Sequence, residues 1–192
     1  AGTLAEQAPL NAKLADVMEQ VASQSAKPED RTLWVRQLAD VVSAAVQTGG
    51  YPDGAKRLAA LFDKLAKNPA DRELAGYVRF RQLSAEYGLA MQNPKADFAA
   101  IQAWWLKQLE QFATDFPTGP DTAEALLQLG ITQEYSGQEE EAKKWYGRIL
   151  RDFPDAPVVA KVTGALRRLD SVGKQMALQG KDPNGGAVDL QG

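Results

Sequence analysis

Residues 123–154 read AEALLQLGITQEYSGQEEEAKKWYGRILRDFP, and the reading of this stretch decides how the rest of the chain is organised. Its apolar residues recur at intervals of three and four, the spacing of a one-faced helix. The pattern breaks at Ser136-Gly137 and stops at Pro154. Glycine permits a tight turn and proline cannot continue a helix, so the spacing predicts two helices, near 120–135 and 139–153, with a short connection between them. Glu139, Glu140 and Glu141 fall in the first turn of the second helix, where negative charge suits the helix dipole. Lys143 and Lys144 follow at the four-residue separation that pairs charges along a helix. That accounts for the acidic cluster without a metal.

Outward from this stretch the same periodicity continues. Leu10, Leu14, Val17 and Val21 mark a first helix that ends before Pro28, and Trp34, Leu38, Val41, Val42 and Ala45 a second that ends at Gly49-Gly50. Leu58, Leu61, Phe62 and Leu65 give a third, closed by Asn68-Pro69. Tyr77, Phe80, Leu83, Tyr87 and Met91 give a fourth, stopped by Asn93-Pro94. The longest stripe, Phe98, Ile101, Trp105, Leu109, Phe112 and Phe116, is cut by Pro117, and a last helix is expected over 157–169. Each stripe must be buried against another, and brief polar loops reverse the chain. The fold class expected is all-α: about eight helices in antiparallel hairpins, with a short C-terminal β-hairpin or extended tail. Two Asp-Phe-Pro copies, at 115–117 and 152–154, lie 37 residues apart, a period that suggests helix-turn-helix repeats.

With 192 residues and 44% apolar content the chain can bury a core without staples. There are 22 Lys plus Arg against 25 Asp plus Glu, a net charge of −3, with no basic block, which argues against a nucleic-acid partner. No apolar run approaches the roughly 20 residues of a transmembrane helix. Cysteine and histidine are both absent. Thiol nucleophiles, Ser-His couples, imidazole acid–base chemistry and Cys/His zinc sites are therefore excluded within these residues. The segment KDPNGG lacks the alternating oxygen ligands of a calcium loop, and no phosphate loop or dinucleotide glycine fingerprint is present. No catalytic constellation, metal site or cofactor is expected.

The stretch at 123–154 resembles a tetratricopeptide repeat. Leu129-Gly130, Gly137, Ala142, Tyr146 and Pro154 fall at that family's consensus spacing, while Leu126, Gln133 and Ile149 depart from it. The resemblance implies that Gly130 and Ala142 are small where paired helices approach closely and that Tyr146 fills the groove between them. The upstream helices are repeat-like only.

Three residues are candidate partner-binding positions. Trp104 stands beside Trp105, and at about 100° per residue both cannot occupy the centre of one stripe. Trp105 belongs to the core, and Trp104 either covers an adjacent helix or faces a partner. Arg79 and Arg81 flank the aromatic stripe of the fourth helix, as carboxylate or phosphate binders on a groove or as solvated flanks whose stems lie over apolar neighbours.

The chain closes with SVGKQMALQGKDPNGGAVDLQG, residues 171–192. Two apolar-alternating runs, 175–179 and 187–191, flank a Pro-Asn-Gly-Gly turn. Val172-Gly173-Lys174, Met176-Ala177-Leu178, Asp182 to Gly186 and Val188-Asp189-Leu190 resemble the opening of a redoxin domain of the TlpA-like thiol-disulfide oxidoreductases. In that family a Trp-Cys-x-x-Cys active site comes next. The resemblance implies a helical domain at 1–170 followed by the start of a thioredoxin-like domain at 171–192. It also implies an exported, periplasmic or cell-envelope protein. Its helical part would then be a non-catalytic scaffold for a protein partner or for self-association, with no cofactor of its own. The alternative is a stand-alone tetratricopeptide-like adaptor of the cell envelope. A Cys-x-x-Cys within the next few dozen codons supports the former, and a stop codon after Gly192 removes it. A carboxylate enzyme such as a glycosidase ranks last, since nothing in the sequence marks a raised-pKa acid.

Overall fold

A computed structural model describes residues 4–171, 173, 178–181 and 186–190. Among the described residues there are eight α-helices, followed by a two-stranded antiparallel ribbon. The chain divides into two units, residues 1–125 and 126–192.

The first unit contains α1 (Leu4–Gln24), α2 (Pro28–Gln47), α3 (Gly54–Ala66), α4 (Arg72–Met91), α5 (Phe98–Asp115) and the first turn of α6 (Thr122–Tyr135). Helix starts follow local chemistry. Pro28 opens α2, where its missing N–H costs nothing, and the Asp97 carboxylate accepts the amide of Ala100 at 3.0 Å to cap α5. A 3-10 turn at Pro69–Asp71, with Asn68 accepting the Ala70 amide, leads into α4.

Helix α4 is the hub: it packs on α2, α3 and α5, while α1 packs on α2. Accordingly α4 buries residues around most of its circumference, including Leu74, Ala75, Val78, Phe80, Leu83 and Ala85. Leu38, Val42 and Val46 of α2 and Leu58 and Leu65 of α3 meet it in the core, each removed almost fully from water. Each such side chain is worth about 1.5–3 kcal/mol of burial. Ion pairs tie the edges: Arg31 holds Asp71 through two bonds at 2.6 and 3.0 Å, and Arg57 of α3 reaches Asp16 and Glu19 of α1.

The face expected to be buried on α1 is not the buried one. Leu10, Leu14 and Val17 are 64%, 46% and 57% exposed, and the residues against the fold are Ala15, Met18 and Ala22. The helix is rotated by one residue from the expected stripe. Alanines on its inner face let it lie close to α2, and the Asn11 side chain donates to the Gly50 carbonyl at 3.0 Å. With Asp16 and Glu19 drawn to Arg57, the larger apolar residues are turned outward.

The second unit holds the rest of α6, then α7 (Glu139–Asp152), α8 (Val159–Ser171), β1 (Leu178–Lys181) and β2 (Ala187–Leu190). Gly137 turns the chain between α6 and α7 at φ +73°, a conformation that favours glycine. Tyr146, 1% exposed, lies flat against Gly130: a Cβ at position 130 would stand 2.4 Å from its Cε1 atom. Ala142 and Ile149 are fully buried beside it on α7. The Tyr146 hydroxyl donates to Glu134 at 3.0 Å, and burial and that carboxylate push the phenol well above its ordinary range. Arg168 of α8 pairs with the same Glu134, and Lys143 bridges Glu140 and Asp170 at 3.0 and 3.1 Å. Lys143 and Lys144 pair at three-residue separation with Glu140 and Glu141, one residue closer than the spacing suggested.

In the ribbon Leu178 pairs with Leu190 and Lys181 with Ala187. Of the expected run at 175–179, Leu178 and Gln179 lie in β1, and residues 172, 174–177, 182–185 and 191 lie outside the described residues.

The α6–α7 contact is tested by two alanines with opposite signs. Gly130→Ala must displace the Tyr146 ring or the backbone and is expected to lower stability by about 1–3 kcal/mol. Gly147→Ala, where no atom lies within 4 Å, should raise it by roughly 0.5–1 kcal/mol through helix propensity alone. Denaturant melts of the two variants read both; equal effects would contradict this packing.

Candidate functional site

The three sequence candidates, two on α4 and one on α5, occupy three different environments in the first unit. Arg81 is consumed internally. Its Nε donates to Asp40 of α2 at 2.8 Å and its Nη1 to Asp121, ahead of α6, at 2.7 Å. Its guanidinium lies 4.0 Å over the Tyr77 ring, with Arg36 4.8 Å from the same ring. The Tyr77 hydroxyl donates in turn to Asp40. Burial opposes the Arg81 charge, but its bonds to Asp121 and Asp40 outweigh that and hold its pKa raised. Asp121 is lifted above the ordinary carboxylate range because burial outweighs Arg81, and its Oδ2 is buried without a hydrogen bond. Both shifts describe one desolvated pair with the acid the less well satisfied member. Arg81 is therefore a cross-link among α2, α4 and the start of α6, and neither a solvated flank nor a free anion binder.

Trp104 is half-buried on α5, and its ring sits 6.5 Å from that of Trp105. Trp105 is 5% exposed and stacks on Tyr87 at 4.8 Å, as a core residue should. With Glu86 and Ala90 of α4 and Ala100 and Ile101 of its own helix, Trp104 walls a shallow hollow of about 320 Å3. It thus packs on α4 and also fronts an apolar depression.

Arg79 points toward α3 and α5, away from Arg81. It donates to Gln82 Oε1 at 2.9 Å and to Gln108 Oε1 at 3.3 Å, and lies 5.4 Å over Phe62. Arg72, which lines one pocket together with Arg79, Phe62 and Gln108, escaped the sequence reading. The signal was there, since seven residues separate Arg72 from Arg79 and two helical turns bring them to one face.

The second unit carries a separate groove of about 610 Å3, where Leu127, Ile131 and Tyr135 of α6 face Lys161, Ala165 and Arg168 of α8. Tyr135 is 90% exposed there.

Among the described residues no group of three or more acidic side chains is placed to hold a metal ion, and no helix is long and apolar enough to cross a membrane. Comparison with protein-family models, with curated proteins and with solved structures returns no match. What the molecule offers is thus read from its surfaces: an exposed stripe on α1, the Trp104 hollow, the Arg72–Arg79 pocket and the α6–α8 groove.

The Arg81 node has a pH signature. Arg81→Gln strands the Asp121 carboxylate, and removing one member of a buried pair costs several kcal/mol; about 2–4 is expected for this partly exposed one at neutral pH. Asp121, already raised by burial, then takes a proton more readily in the folded than in the unfolded chain, so the deficit shrinks as the pH falls through that folded pKa. Melts of wild type and variant across pH 4–8 should converge toward acid; a constant gap would contradict a charge-based role.

Proposed function

We propose that this chain is a non-catalytic protein-interaction domain that pairs with a second copy through α1. The observation that carries the reading is the exposed stripe of Leu10, Leu14 and Val17, continued by the partly buried Val21. Its spacing of four, three and four residues is that of a helix-pairing seam. Contiguous apolar surface of this kind is costly in water unless something covers it.

A second copy is the occupant because the stripe is complementary to itself. Antiparallel pairing about the midpoint between Leu14 and Val17 sets Leu10 against Val21 and Leu14 against Val17 of the other copy. In that register no charged residue of α1 falls opposite a residue of like charge. The Trp104 hollow, on another part of the unit, is available to an apolar side chain of a further protein.

The likeness of residues 172–190 to the opening of a redoxin domain extends the proposal to the whole polypeptide. In that reading the helical domain is the N-terminal part of an exported thioredoxin-like thiol-disulfide oxidoreductase, and pairing through α1 brings two redox domains together. Tethering of this kind raises effective concentration without any new contact at the reacting sulfurs. The helical part itself has no thiol and stays redox-silent.

Sedimentation velocity of the double variant Leu14→Gln/Val17→Gln tests the pairing. The wild type is expected to associate between 1 and several hundred micromolar, and the variant to remain monomeric with helix content unchanged. A wild type monomeric throughout, or association lost instead in Trp104→Ala, would overturn the assignment to α1.

A further inference from the structure

The pocket between α3, α4 and α5 is separate from the surfaces just assigned. It encloses about 340 Å3 and is walled by Phe62, Phe112, Phe116, Arg72, Arg79 and Gln108. Phe112 forms its floor at 2% exposure, and the three rings touch in series, with centroids 6.5 Å apart for Phe62–Phe116 and 5.2 Å for Phe112–Phe116.

Both arginines are held in place without a counter-ion. Arg72 donates to the main-chain carbonyl of Asp115 at 2.5 Å and rests 5.7 Å over Phe116. Arg79 is held by two amide oxygens and rests over Phe62. Neither guanidinium forms an ion pair among the described residues. Gln82 explains the aim of Arg79: only 5% exposed, it donates its Nε2 to Glu86 at 2.8 Å, which leaves its Oε1 to receive the arginine. A buried amide spent on orienting an unpaired cation presets the remaining N–H donors toward the pocket, and preset donors lose less entropy on binding.

The charge balance selects the ligand. The Asp115 carboxylate, which accepts from Gln111 at 2.8 Å, stands at the rim, and the carbonyl end of α5 adds partial negative charge. Two guanidiniums and one carboxylate leave a single net positive charge. A monoanion neutralises it, whereas a phosphate dianion would exceed it beside Asp115. The phenyl walls favour an apolar body behind the anion. We propose that this pocket binds an aromatic monocarboxylate, its carboxylate received by Arg72 and Arg79 and its ring laid against Phe62, Phe112 and Phe116. The group could arrive as a free acid or as the C-terminal residue of a peptide, with the same contacts.

The test is an NMR titration of the 15N-labelled full chain with phenylacetate, followed at the Nε–Hε resonances of Arg72 and Arg79. Saturable shifts of both are expected. Acetate, phenylacetamide and inorganic phosphate should each bind at least tenfold more weakly, and Arg79→Gln should weaken phenylacetate at least tenfold. Arg72→Gln, whose side chain is exposed, gives an independent reading should Arg79→Gln perturb the fold. A short peptide ending in phenylalanine, as acid and as amide, separates the sources: tighter binding of the acid peptide than of phenylacetate identifies a chain terminus, and weaker binding a free acid. Non-saturating shifts, equal binding of phenylacetamide or phosphate, or full affinity in both arginine variants would overturn the proposal. Sedimentation in the same buffer reads α1 pairing separately, so failure of one proposal is distinguishable from failure of the other.

Discussion

The contact between α2 and α4 is the constraint on which the first unit depends. Leu38, Val42 and Val46 on one side and Ala75, Val78 and Ala85 on the other are all but absent from the surface. Ser43, the polar residue inside this seam, is satisfied by donating to the Arg81 carbonyl at 3.0 Å and accepting from Gln47. Once α2 and α4 are fixed, their flanks fix the ions: Asp40 meets both Tyr77 and Arg81, and Glu73 meets Arg36. With α4 so placed, α3 and α5 have surfaces to cover, and the Arg79 side faces both.

Helices at the margin of such an array have fewer neighbours than those at its centre. Helix α4 has α2, α3 and α5, and so buries residues around most of its girth; α1 has α2 and the ionic reach of Arg57, and so can hide only a narrow, alanine-rich strip. An amphipathic pattern does not record how many neighbours a helix will have. This is why the stripe of α4 was legible in Phe80 and Leu83, while on α1 the larger residues marked the helix but named the wrong face. The helix ends were legible for a simpler reason, because Pro28, Gly49-Gly50, Asn68-Pro69 and Pro154 act through local backbone chemistry. Gly130 and Tyr146 were legible through the repeat resemblance, and the structure gives the physical reason they go together: a Cβ at position 130 would meet the Tyr146 ring.

The charged residues were harder to read. Arg79 and Arg81 are two positions apart on one helix and look alike in the sequence, yet one meets two carboxylates and the other two amide oxygens. What separates them is the identity of residues 40 and 121 on one side and 82 and 108 on the other, all distant or buried. What the fold leaves unsatisfied is of two kinds: cations without counter-ions in one pocket, and apolar residues without cover along α1. Both are interaction chemistry, consistent with a chain that has neither thiol nor imidazole.

Because the chain has no native cysteine, a single thiol reports on one position without background. The most direct measurement is the alkylation rate of Val17→Cys as a function of protein concentration. Coverage of the α1 stripe by a second copy predicts rapid labelling in dilute solution and protection that grows with concentration, lost when Leu14→Gln is added. Rapid labelling at every concentration would contradict the claim, and slow labelling at every concentration would show the stripe buried within the single chain.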